Sequence, residues 1–167
     1  MVSRPVVNPN FFATGMSQKD WDKLRNNPFD PMTNKVISGE YPPGSPFKVV
    51  AGLAALEEKK VTPEEKYFDG GSHPLAKEKG NAGGAALGWI DLRRAIQKSD
   101  NVFFYEMGYR LGINTISKYA RMFGMGSKTG IDLAGESEGL VASREYKKKA
   151  LGNDDWYIVE TMDATIG

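Results

Sequence analysis

The chain has 167 residues, 40% hydrophobic and 26% charged, so its length fits one domain or part of one and its apolar content excludes a fully disordered chain. Lysine and arginine number 22 against 21 acidic residues, and this formal charge of +1 provides no net field for binding nucleic acid or an anionic membrane. The lack of cysteine excludes disulfides, thiolate metal sites and cysteine nucleophiles, and the single histidine, His73, excludes a histidine-rich metal site.

No membrane-spanning or targeting segment is predicted. The longest strongly apolar run, Val49 to Leu56, is 8 residues long, whereas about 20 are needed to span a bilayer. The start of the chain lacks the apolar stretch of a signal peptide. If the protein works outside the cytoplasm, we expect its exporting segment to lie outside this chain.

The first part of the sequence alternates irregular segments with one helix. Turn residues place residues 1–16 and 28–44 mostly in loops. Between them, Ser17 has the features of an N-cap, with Asp20 as its capping-box partner. The helix that it opens is predicted to end at Pro28.

The strongest helical pattern runs from Ser45 to about Lys60. Pro46 suits its first position, where the missing N–H has no partner to lose. Val49 and Leu53, with alanines between the larger residues, make this helix apolar nearly all round. Such a pattern is typical of a buried helix.

Helices also dominate the rest of the prediction. Thr62 to Glu65 has the residues of a helix start, and the glycine-rich residues 69–88 are predicted to form an open loop. Caps and apolar periodicity place further helices at 92–98, 102–111, 114–123 and 143–150, residues 127–142 are predicted to be mostly loop, and the pattern of 156–167 is ambiguous. The chain is therefore predicted to be mainly α, with almost no strand.

Ser45 and Lys48 give the first chemical signal. Three residues apart at the start of a helix, they lie on one face, so the lysine amine can reach the serine oxygen. Serine is a weak nucleophile that needs an adjacent base, and both burial and the positive end of a helix lower the pKa of a lysine enough for it to act as one. The alternative is an N-cap serine beside a solvated lysine, and the pair alone leaves both open.

A second signal is Ser99-Asp100-Asn101, at the junction of two predicted helices. The Ser99 hydroxyl could pass a proton, and the Asn101 amide could hold a substrate carbonyl or the Lys48 amine. These residue types are also common helix caps.

Penicillin-recognising enzymes combine such motifs with Lys-Thr-Gly, but Lys128-Thr129-Gly130 is followed by turns rather than a long strand, so we do not place it in the site.

His73 lies in the glycine-rich segment. With Asp69 it could supply two ligands to a metal, but structural zinc sites usually have four, and cysteine is absent. We therefore expect His73 to be solvated.

Several segments in order resemble one family. Tyr41 to Lys48 resembles the active-site serine motif of class B penicillin-binding proteins, closest to the elongation-type penicillin-binding protein 2 group, and Lys98 to Tyr105 resembles the second motif and the helix after it. Further ordered matches are at residues 3–10, 123–136, 139–147 and 164–167. The resemblance covers nearly the whole chain.

This resemblance implies the helical core of the α/β penicillin-binding transpeptidase (serine β-lactamase-like) fold, lacking most of its antiparallel sheet. Residues 1–167 are then expected to be part of a transpeptidase domain without the third Lys-Thr-Gly strand, from a longer parent anchored in the cytoplasmic membrane and working on its periplasmic side.

The resemblance also implies D,D-transpeptidase chemistry in cell wall synthesis and cell elongation. Ser45 would attack the D-Ala-D-Ala bond of a peptidoglycan stem peptide, neutral Lys48 would take its proton, Ser99 would help protonate the leaving D-Ala, and Asn101 would orient the substrate amide and Lys48. β-Lactams would acylate Ser45. No metal or cofactor is implied, no nucleic acid partner is expected, and other proteins of the elongation machinery are expected partners of the parent.

Three alternatives stay open at this point. The chain could be a non-catalytic helical fragment, since we expect it to be inactive or very weak by itself. It could be a helical binding module in which Ser45 and Ser99 are only caps. A D,D-carboxypeptidase or a β-lactam sensor would share the same motifs.

Overall fold

The computed structural model describes residues 2–167, which form two compact units. The first unit comprises the described part of Met1–Tyr41 together with Ser127–Gly139. The second comprises Pro42–Gly126 and Leu140–Gly167 and contains all four candidate site residues.

The first unit contains three short helices: α1 (Asn10–Thr14), α2 (Gln18–Arg25) and α3 (Lys35–Ser38). The prediction for α2 is confirmed, because the Asp20 N–H donates to Ser17 Oγ at 3.2 Å and the Ser17 hydroxyl donates to the Asp20 carboxylate at 2.6 Å. The flanking segments, predicted to be mostly loop, each also contain one short helix, α1 and α3. Residues 127–139 contain neither helix nor strand, so Lys128-Thr129-Gly130 lies in a loop.

The second unit is built around one long helix. A 3₁₀ turn, Ser45–Phe47, leads into α4, and the helices are α4 (Lys48–Glu57), α5 (Leu92–Lys98), α6 (Asn101–Met122), α7 (Arg144–Leu151) and α8 (Ile158–Ile166). Both α4 and α8 pack against α6. Gly112, with φ 72°, breaks the helical conformation within α6 at the predicted stop. The ambiguous carboxyl-terminal segment is thus helical.

Helix α4 buries only one face, so the prediction that it is buried nearly all round is wrong. Val49 and Leu53 are 56% and 40% exposed. The buried face consists mainly of small residues, Val50, Ala51, Gly52, Ala54 and Ala55. Because these side chains are short, α4 packs closely on α6 and leaves its larger residues outside.

The glycine-rich segment is not an open loop as predicted. It forms two small antiparallel sheets from four strands, β1 (Tyr67–Asp69), β2 (Ser72–His73), β3 (Ala76–Gly80) and β4 (Gly88–Ile90), in which β1 pairs with β4 and β2 with β3. Two glycines allow the strands to approach closely: Gly71, just before β2, has φ 95°, and a Cβ on Gly80, the last residue of β3, would lie 2.6 Å from the Gly71 carbonyl oxygen. The predicted helix after Thr62 is also wrong, since the Glu65 N–H donates to Thr62 Oγ1 at 3.2 Å but the chain continues into β1.

His73 is buried rather than solvated, with 1% of its surface exposed. Its Nδ1 accepts from the Leu75 N–H at 3.3 Å, so Nε2 carries the hydrogen that faces the Glu106 carboxylate at 3.1 Å. Arg110 donates to the other oxygen of Glu106 at 2.7 Å. The prediction failed because Glu106, the side chain that pairs with His73, comes from α6, 33 residues along the chain.

Residues 2–167 contain neither a helix that could span a membrane nor a cluster of metal-ligating side chains. No helix within 2–167 is long and apolar enough to cross a bilayer. Among the same residues, no three histidine, aspartate or glutamate side chains lie close enough together to bind a metal ion.

Candidate active site

Ser45 opens the 3₁₀ turn at the head of α4. Gly44, with φ 64° and ψ −152°, turns the chain into it, and the Gly44 carbonyl accepts from the Phe47 N–H at 2.9 Å. This arrangement leaves Ser45 exposed at the surface, whereas Lys48, one turn later, is 2% exposed. The nucleophile candidate is therefore open to solvent, and the candidate base lies behind it.

The Lys48 ammonium is held by three oxygen acceptors. Nζ donates to the Asn101 side-chain oxygen at 2.6 Å, to the Ser99 carbonyl at 2.7 Å and to Ser99 Oγ at 3.2 Å. It also lies 5.7 Å from the centre of the Phe104 ring. Burial lowers the pKa of Lys48 below its ordinary value, and the negative charge of Asp100 opposes this shift.

Ser99 joins the nucleophile to the lysine. Its hydroxyl donates to Ser45 Oγ at 2.8 Å and also lies within hydrogen-bond distance of Lys48. Ser99 ends α5 in a left-handed conformation, φ 54° and ψ 40°, that a serine rarely adopts. Strained backbone of this kind is concentrated at functional sites.

Asn101 is anchored from the other side by a residue that the sequence analysis missed. Its backbone N–H donates to Asn81 Oδ1 at 2.7 Å, and its side-chain amide donates to the Gly80 carbonyl at 3.2 Å. The Asn81 amide donates in turn to Asp69 Oδ2 at 2.7 Å. Residues of the supposed open loop thus fix the orientation of Asn101, and no signal in the sequence of that loop reveals it.

Asp100 caps α6, as aspartate at such a junction can, and is almost fully buried. Its Oδ1 accepts from the Phe103 N–H at 2.8 Å, but Oδ2 is buried without a hydrogen-bond partner in the described structure. Burial, and to a smaller extent the nearby charge of Asp69, raise the pKa of Asp100 to about 6. A protonated Oδ2 could donate a hydrogen bond that the carboxylate cannot.

A family model for the penicillin-binding protein transpeptidase domain matches residues 1–159. The chain belongs to this family. It is 35% identical over 170 aligned residues to the peptidoglycan D,D-transpeptidase MrdA of Escherichia coli (strain K12), covering 100% of this chain and 27% of that protein. The chain therefore spans about a quarter of the length of this curated relative.

Solved structures of penicillin-binding proteins share the fold. The chain superposes on Helicobacter pylori PBP2, from its complex with MreC, with a TM-score of 0.92 and 33% identity, over 99% of this chain and 31% of that one. It superposes on the penicillin G acyl-enzyme complex of penicillin-binding protein A from M. tuberculosis with a TM-score of 0.79 and 30% identity, over 99% and 38% of the two chains. The expected fold class is confirmed: the chain is a helix-rich part of the penicillin-binding transpeptidase fold.

Proposed function

We propose that residues 1–167 are the part of a peptidoglycan D,D-transpeptidase domain that carries the acyl-accepting serine. Ser45 is the nucleophile, Lys48 the base, Ser99 the proton relay and Asn101 the residue that orients Lys48 and the substrate amide. The observation that carries this proposal is the continuous path from exposed Ser45 Oγ, through Ser99 Oγ at 2.8 Å, to buried Lys48 Nζ at 3.2 Å.

The path provides a route for the proton. When Lys48 is neutral, its two N–H groups donate to the Ser99 carbonyl and to Asn101, its two shorter contacts, and its lone pair faces Ser99 Oγ. Hydroxyl hydrogens rotate, so Ser45 can donate to Ser99 while Ser99 donates to Lys48. Attack of Ser45 on the D-Ala-D-Ala carbonyl then forms the bond from Ser45 Oγ to the carbonyl carbon of a tetrahedral intermediate, while one proton moves from Ser45 to Ser99 and one from Ser99 to Lys48.

Collapse of the tetrahedral intermediate reverses the path. Lys48 returns its proton through Ser99 to the nitrogen of the departing D-Ala as the carbon–nitrogen bond breaks, which leaves Ser45 acylated. The amine of a second stem peptide then attacks the ester carbonyl; the new amide bond forms as the bond to Ser45 Oγ breaks, and a proton from the amine returns to Ser45 along the same path. A β-lactam follows the first half of this sequence, and its opened ring stays attached to Ser45.

The developing oxyanion needs backbone donors near Ser45. The N–H of Ser45 is one donor, and the family resemblance assigns a second to the strand of the third motif, which is not present within residues 2–167. Removing one such donor costs about 10²–10³ in rate. We therefore expect this chain by itself to be acylated slowly.

Partners and location follow from the same proposal. Stem peptides are the substrates and β-lactams the inhibitors, the latter supported by the penicillin G acyl-enzyme of the M. tuberculosis relative. The H. pylori PBP2 complex with MreC supports partners in the elongation machinery. Because peptidoglycan lies outside the cytoplasmic membrane, we place this chain on the periplasmic side, within a membrane-anchored parent.

Labelling with a fluorescent penicillin tests the proposal. We expect slow covalent labelling that Ser45→Ala abolishes and that Ser17→Ala leaves unchanged. Ser17 is a matched control because it also stands at a helix start, where it caps α2 outside the site. Labelling that persists in Ser45→Ala, or no labelling after prolonged incubation, would overturn the proposal in favour of a non-catalytic helical fragment or of a binding module whose serines are only caps.

A further inference from the structure

The backbone just before the nucleophile is held from two sides. The Gly44 N–H donates to the Gly167 carbonyl at 2.9 Å, and the Gly44 carbonyl accepts from Phe47. Gly44 lies in a region of backbone space, φ 64° and ψ −152°, that residues with a side chain rarely adopt. Since Ser45 follows directly, the position of Gly44 sets the direction in which the Ser45 hydroxyl meets Ser99.

Gly167, which follows α8, approaches Gly44 more closely than any other residue type could. A Cβ at position 167 would lie 2.3 Å from the Gly44 carbonyl oxygen, 2.6 Å from its nitrogen and 2.8 Å from its carbonyl carbon. All three atoms are backbone, so they cannot rotate out of the way. Any side chain at position 167 must therefore displace the turn that presents Ser45 or abandon the hydrogen bond to Gly44.

A second glycine sets the position of α8 itself. On α6, a Cβ at Gly108 would lie 2.3 Å from Thr165 Oγ1 and 3.2 Å from Thr165 Cβ. Thr165 is fully buried and its hydroxyl donates to the Thr161 carbonyl at 2.7 Å, so it has little freedom to move. Gly108 thus allows α8 to lie close against α6.

Helix α6 connects the two supports. It begins at Asn101, which accepts from Lys48, and through Gly108 it holds α8, whose end meets Gly44. The first part of α6, from Asn101 to Gly108, therefore positions both the base and the nucleophile.

We propose that Gly108 and Gly167 are positioning residues for the Ser45 nucleophile: they let α8 dock against α6 and end against Gly44, which fixes the turn that aims Ser45 at Ser99. The inference rests on the acylation chemistry proposed above. Relieving a 2.3 Å contact to ordinary van der Waals distance moves the backbone by about 1 Å, and a misplacement of that size can cost about 10²-fold in rate.

The first test is Gly167→Ala, compared with Gly152→Ala. Gly152 is a matched control because it has a similar φ, +76° against +86°, but nothing within 4 Å of its Cβ position. For Gly167→Ala we expect the first-order acylation step with penicillin to slow about 10²-fold while the dissociation constant of the non-covalent complex changes little. NMR hydrogen exchange should show the Gly44 amide losing protection in Gly167→Ala and retaining it in Gly152→Ala.

The second test uses the contact between α6 and α8. Gly108→Ala should slow acylation and deprotect the Gly44 amide, and adding Thr165→Ala, which removes the hydroxyl 2.3 Å away, should restore part of both. This pair decides the question if Gly167→Ala fails to fold.

Three results would overturn the inference. They are wild-type acylation and exchange in Gly167→Ala, equal losses in Gly152→Ala, or no rescue of Gly108→Ala by Thr165→Ala. If the wild-type chain is not acylated at all, the proposed function fails, whereas Gly44 exchange in the same variants still decides whether the two glycines position the turn.

Discussion

Replacing Asp100 by asparagine should stabilise the protein, and increasingly so as the pH rises. Asp100 is 1% exposed, its Oδ2 has no hydrogen-bond partner among residues 2–167, and its pKa is raised from 3.8 to about 6, mainly by burial. The folded state therefore binds a proton more tightly than the unfolded state, so ionisation costs stability. The cost is absent below pH 3.8 and complete above about pH 6. At 1.36 kcal/mol per pKa unit, it amounts to at most about 3 kcal/mol.

Asparagine removes this cost and keeps the cap. It is as good an N-cap as aspartate, so the hydrogen bond from the Phe103 N–H should survive. Urea unfolding followed by circular dichroism should show that, from pH 4 to 8, the free energy of unfolding of Asp100→Asn rises relative to that of wild type by up to about 3 kcal/mol. Asp91→Asn, the same change at the half-buried cap of α5, is the control for the general effect of removing a cap charge. A destabilised Asp100→Asn at pH 8, or a difference from wild type that does not change with pH, would refute the reasoning.

The same structure makes predictions for four other residues. Ser99→Ala interrupts the path between Ser45 and Lys48 and should lower the penicillin acylation rate by about 10²–10⁴, measured by stopped-flow fluorescence; an unchanged rate would exclude the relay. The acylation rate should rise with pH as Lys48 loses its proton, with a midpoint below 10.5 because burial lowers the Lys48 pKa; a midpoint at 10.5 or above would contradict a buried base. Leu53→Ser, on the exposed face of α4, should change the free energy of unfolding by no more than about 0.5 kcal/mol. Phe104→Ala, in the core, should cost about 3–5 kcal/mol in the same urea titration, and equal losses in the two variants would contradict the observed orientation of α4.

Helix caps and helix breaks, which depend on neighbouring residues, could be predicted from the sequence. Ser17 and Asp91, which the sequence predicts to be helix caps, each accept a hydrogen bond from a backbone N–H three residues on. The stop at Gly112 was readable for the same reason, because a glycine in a positive-φ conformation interrupts a helix without help from distant residues.

Features that depend on residues distant in the chain could not be predicted from the sequence. The pairing of β1 with β4 joins Tyr67 to Ile90, and burial of His73 depends on Glu106 of α6. The outward orientation of Val49 and Leu53 depends on which face of α4 meets α6, and nearly uniform apolarity cannot specify that face.

The candidate site was also only partly predictable from the sequence. Motif spacing nominated Ser45, Lys48, Ser99 and Asn101, and the structure brings these four into one hydrogen-bonded group, although their catalytic roles stay a prediction. The support from Asn81 could not be foreseen, because it comes from a hairpin that was read as a loop.

Tandem mass spectrometry of the chain after prolonged incubation with penicillin tests most directly which atom is the nucleophile. Ser45 Oγ and Ser99 Oγ lie 2.8 Å apart, so a total mass shift alone does not distinguish them. We predict one added penicillin, located on the peptide that contains Ser45 and missing from Ser45→Ala. An adduct on Ser99, or no serine adduct at all, would contradict it.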